Sequence, residues 1–67
     1  MEMLLAILIW LGCITAPNTY HQDQITAYSN QNQAAINSVM ESPPQQEWIW
    51  GQYGALTENV QVINPYK

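Results

Sequence analysis

The chain has 67 residues, which limits it to one domain, and a fold this small buries only about 60% of the surface its extended chain exposes. Only 9% of the residues are charged, the formal net charge is −4, and the one basic side chain is Lys67. That balance excludes a nucleic-acid binder, which needs Lys or Arg against phosphate, and any basic stretch attracted to anionic headgroups.

Small folds usually draw extra stability from disulfides, a metal or a partner. Cys13 is the only cysteine and His21 the only histidine, and Glu2, Asp23, Glu41, Glu47 and Glu58 are scattered. No internal disulfide can form, and neither a metal nor a cofactor is expected. A bilayer or protein subunits of a larger assembly are left as the expected partners. Fourteen Gln and Asn side chains carry the solubility instead of charge. Uncharged amides bury against polar neighbours at lower cost than ions, which suits packing among other proteins.

Residues 1–20 read as a hydrophobic anchor. Twelve of the fourteen residues from Met3 to Ala16 are apolar, and Leu4, Leu5, Ile7, Leu8, Ile9, Trp10 and Leu11 lie in a run without a polar break. A helix over residues 3–16 is apolar on every face, which places it in lipid or inside an assembly. Pro17 ends or kinks it. A span needs about 20 residues, reached only by counting on to Tyr20 at the interface. On this reading the protein is single-pass, in a membrane or a membrane-containing virion. Its acidic, arginine-free tail lies outside.

Two processing readings compete. A secretory signal with cleavage after Ala16 fits in apolar length, but Glu2 stands where a basic residue belongs. Leu11-Gly12-Cys13 resembles the end of a bacterial lipobox, whose cysteine becomes lipidated. Trp10 departs from that pattern.

Residues 21–42 read as an amphipathic helix. Thr19 and Gln22 match a capping box, with Asp23 as a later alternative cap. Ile25, Tyr28, Ile36, Val39 and Met40, with Asn32 filling the gap, follow a period near 3.6 residues and form a narrow stripe for a partner. Ser42 before Pro43-Pro44 stops it.

Residues 43–67 read as an aromatic-containing extended tail. Pro43, Pro44, Gln45 and Gln46 make a stiff linker. Trp48 and Trp50 share a face if the chain is extended, and with Tyr53 they form the second partner-binding set. Val60-Gln61-Val62 alternates as a short strand does, ending at Asn64-Pro65.

No catalytic residues emerge. Cys13 lies in the apolar run, where desolvation disfavours a thiolate, and His21 stands eight residues away beyond a proline. The expected fold is mainly α, with one N-terminal transmembrane helix, one amphipathic helix and an extended or hairpin tail, and no independent globular core. The expected function is a non-enzymatic structural or accessory subunit of a membrane-associated complex or virion. The alternatives are an exported protein or lipoprotein acting as a binding module, and a small membrane-active peptide.

Overall fold

Gly12 decides where the first helix stops. In the computed structural model, which describes residues 2–64, α1 runs Glu2–Trp10 and Gly12 takes the left-handed conformation at φ 82. The N–H of Gly12 donates to the carbonyl of Ile9 at 3.0 Å, and that of Cys13 to the carbonyl of Leu8 at 2.9 Å. This is the Schellman pair of hydrogen bonds, which satisfies the last helical carbonyls and turns the chain away. Met1, Pro65 and Lys67 lie outside the described residues.

The early stop corrects the transmembrane expectation. Nine residues rise about 13 Å at 1.5 Å each, under half of a hydrocarbon core about 30 Å thick. Among the described residues no helix is long and apolar enough to cross a membrane. The single-pass topology with its tail outside falls with it.

After the turn, β1 spans Asn18–His21 and leads directly into α2, Gln22–Gln31. The cap is His21 rather than Thr19, and Gln24 Oε1 accepts its backbone N–H at 2.9 Å. The single helix expected over 21–42 is two helices. Asn32 breaks it at φ −119, ψ 24, and α3 restarts over Gln33–Met40. Asn32 Nδ2 donates to the Tyr28 carbonyl at 2.9 Å and to Cys13 Sγ at 3.2 Å, which ties the break to the end of the α1 turn.

The diproline is a helix start, not a linker. Ser42 is the N-cap and Pro43 and Pro44 open α4, Pro43–Tyr53. Proline suits the first helical turn, where its missing N–H would have no partner anyway. Gln46 Nε2 reaches back to the carbonyls of Val39 and Met40 at 3.1 and 2.8 Å, closing the end of α3. A 3₁₀ helix, Gly54–Asn59, leads into β2, Val60–Ile63. The expected extended tail is therefore mostly helical.

β1 and β2 pair in parallel, with Asn18 opposite Val60 and His21 opposite Ile63. Parallel strands need a long crossover, and α2, α3 and α4 together supply it.

α1 sits at the centre, against α4, the 3₁₀ helix and α2. Leu5, Ala6, Ile7 and Leu8 are buried, joined by Ile14, Ile25, Ile36, Val39, Ile49 and Val60. Leu4, Ile9, Trp10 and Leu11 are half-buried against the same cluster. A helix apolar on all faces needs an apolar surround, and here the chain's own helices provide it. The radius of gyration, 11.5 Å, is near the ~11 Å of a folded domain this long. The chain has a globular core after all.

The glycines yield a prediction with three outcomes. Gly12→Ala should cost about 1–2 kcal/mol, because a Cβ is strained at positive φ although open space surrounds it. Gly54→Ala should also destabilise, since its Cβ would lie 2.7 Å from the Trp50 ring. Gly51→Ala should stabilise by about 0.5–1 kcal/mol, as Gly51 is exposed within α4 and nothing lies within 4 Å. Urea unfolding of the three variants checks the signs.

Candidate interaction surface

Ile49, fully buried, fixes how α4 sits. At about 100° per residue, Trp48 and Trp50 fall on opposite flanks, about 200° apart. The shared face expected of an extended segment does not form. Trp48 meets Tyr53 edge to face, with ring centroids 6.5 Å apart. Trp50 lies over Gly54, whose missing side chain makes room for the indole. Trp48 remains 54% exposed and Trp50 43%.

The stripe expected over residues 21–42 divides. Ile25, Ile36 and Val39 are buried in the chain's own core, and Tyr28 is half-buried, edge-on to Tyr20 at 6.5 Å. Met40, at the end of α3, is exposed. Of the expected contact residues, Met40, Trp48 and Trp50 remain open to solvent, and Tyr53 is half-buried beside Trp48.

The anchor residues Leu4, Leu5, Ile7, Leu8, Ile9, Trp10 and Leu11 belong to the chain's own core or its margin. These side chains therefore do not need a bilayer to bury them, which was the ground for the single-pass membrane assignment.

The sheet end was not read as a site in the sequence. Thr19, His21, Gln61 and Ile63 are exposed along one face of the two strands, while Val60 is buried on the other and Tyr20 and Val62 are half-buried. At the N-terminal end of the strands, Pro17, Asn18, Thr19, Glu58, Asn59 and Gln61 line an open polar cleft of about 430 Å³. Thr15, Asn18 and Tyr20 brace its rim. The Thr15 N–H donates to the Tyr20 hydroxyl at 3.0 Å, and Asn18 Nδ2 donates to Thr15 Oγ1 at 3.1 Å.

Electrostatically the surface has one sign. Asp23, Glu41, Glu47 and Glu58 are all exposed, and residues 2–64 contain no Lys or Arg. Among the described residues, no three His, Cys, Asp or Glu side chains converge in a way that could hold a metal ion. His21 is exposed on β1, and the Cys13 thiol accepts the amide of Asn32. No protein-family model, curated protein or solved structure matches the chain.

Proposed function

We propose that the protein is a non-catalytic protein-interaction module that contacts its partner through the tryptophan-bearing α4. The observation that carries this reading is the exposure of Trp48 and Trp50 on a helix whose inward residue, Ile49, is completely buried. Indole is the costliest side chain to leave in water and the most frequent anchor of an interface. Trp48 is also conformationally prepared, because Tyr53 braces its ring. Less side-chain freedom is then lost on docking.

The charge pattern specifies the partner's chemistry. Glu47 adjoins Trp48 in an acidic surface that lacks basic residues, so the complementary surface carries Lys or Arg beside apolar groups. A guanidinium over an exposed indole face adds a cation–π contact.

The test places a photoreactive side chain at position 52, one turn beyond Trp48, in the full-length chain expressed in its native cells. One recurring protein neighbour is expected. Trp48→Ala should weaken that neighbour's binding about 30-fold, as truncating an anchor costs about 2 kcal/mol, while the circular dichroism spectrum and unfolding midpoint stay near wild type. Unchanged affinity for every captured protein, or no captured protein, overturns the reading.

A further inference from the structure

We infer that the outer edge of β2 is a second binding site, which adds an extended segment of a partner protein and seats one of its basic side chains in the cleft at Glu58. The inference is independent of the α4 reading, because it uses other residues on another part of the fold.

Parallel strands are normally covered on both faces and flanked by further strands. Here two strands form the whole sheet, one face is exposed, and each strand has an edge. The edges are treated differently. Successive N–H groups of a strand point to opposite sides. The N–H groups of Thr19 and His21, on one side of β1, are taken by Asn18 Oδ1 at 3.2 Å and Gln24 Oε1 at 2.9 Å. Local side chains thereby close the edge of β1, one way in which proteins blunt a strand that would otherwise recruit another.

On β2 only the first outward N–H is taken locally. The Val60 N–H donates to the Thr57 carbonyl, which turns it away from β1. By strand alternation the N–H of Val62, two residues on, points the same way, away from the β1 ladder. The outward Val62 N–H and the carbonyls of Val60 and Val62 are the groups that an added strand pairs with. Ile63, 47% exposed, and Gln61 offer side-chain contact on the open face beside them.

The cleft chooses the occupant. Glu58 and the amides of Asn18, Asn59 and Gln61 line it, and it has no cationic side chain. A Lys or Arg on the added strand, projecting across β2, meets a carboxylate and several amide oxygens there. A second copy of the chain is the wrong occupant. It would bring a chain of formal net charge −4 with Lys67 as its single Lys or Arg to meet Glu58.

The probe is an end-blocked heptapeptide of alternating valine and arginine, titrated into the ¹⁵N-labelled full-length chain. A matched peptide with glutamate in place of arginine is the control. Shifts are expected at Glu58 and over 60–63, with amide exchange at Val62 slowed, and the arginine peptide should bind more tightly. Glu58→Gln should weaken the arginine peptide about two- to fivefold and narrow its lead over the glutamate peptide. Val62→Pro, which removes an N–H that the ladder does not use, should abolish binding of both with the remaining spectrum retained. Trp48→Ala should change nothing here, so failure at this site and failure at α4 are distinguishable. Absence of shifts at millimolar peptide, shifts centred on β1, equal affinity for the two peptides, or dimerisation of the free chain through β2 overturns the inference.

Discussion

Leu8→Asp should leave the chain unfolded. Leu8 is fully buried in α1, which is itself enclosed by α4, α2 and the 3₁₀ helix. Truncating such a leucine to alanine already costs about 2–5 kcal/mol. An aspartate adds the desolvation of a carboxylate with no Lys or Arg among the described residues to pair with it. A domain this small holds only about 3–5 kcal/mol in reserve. Far-ultraviolet circular dichroism should show loss of helix across the whole chain, and thermal melting should lose its cooperative transition. A lipid anchor makes a different forecast, in which the same substitution blocks insertion and leaves residues 21–64 as they were. Persistence of the α2, α3 and α4 amide resonances at their wild-type shifts would contradict the central placement of α1.

The error over α1 shows what was legible in the sequence. Its apolar composition and helicity were plain, and so was the need to bury every face. Composition does not say whether lipid or protein does the burying, and that choice rested on an assumed length. Gly12 carried the missing information. A glycine directly after the apolar run that ends at Leu11 is an ordinary helix-ending signal, but Cys13, Ile14 and Ala16 beyond it obscured the stop. Ser42-Pro43 was misread in the same way. Proline ends one helix and begins the next equally well, and the serine before it fits an N-cap. Asn32 was read only as filling a gap in the stripe, and its contact with Cys13, nineteen residues away, has no signature in local sequence.

The sheet and the surface were harder still. Val60-Gln61-Val62 alternated as a strand does, whereas in Asn18-Thr19-Tyr20-His21 only Thr19 and Tyr20 favour a strand, too short a signal to read, and the segment pairs in register with β2. The partner-binding stripe had the right period but the wrong destination, since periodicity finds an apolar face without naming what covers it. Trp48 and Trp50 were singled out as aromatics sharing one face of an extended segment. Their separation to opposite flanks followed from α4 being a helix, so one misassigned element relocated both side chains.

Residues 17–64 alone should not fold, and this result bears directly on the processing alternatives. Cleavage after Ala16 would remove Leu5, Ala6, Ile7, Leu8 and Ile14 from the buried set. What remains is Ile25, Ile36, Val39, Ile49 and Val60, without the helix that α2, α4 and the 3₁₀ helix pack against. Half of the buried aliphatic set is lost, while the conformational entropy of ordering the remaining residues is undiminished. Lipidation at Cys13 with loss of the preceding residues would have nearly the same effect, and would also remove the thiol that accepts Asn32. The shortened chain, expressed without residues 1–16, should give a disordered circular dichroism spectrum and collapsed amide dispersion. Addition of a peptide of residues 1–16 in trans should restore part of the helical signal, because its binding groove between α2, α4 and the 3₁₀ helix is formed by the rest of the chain. A shortened chain that folds cooperatively without the peptide would show α1 to be dispensable, and would return the cleaved binding module to first place.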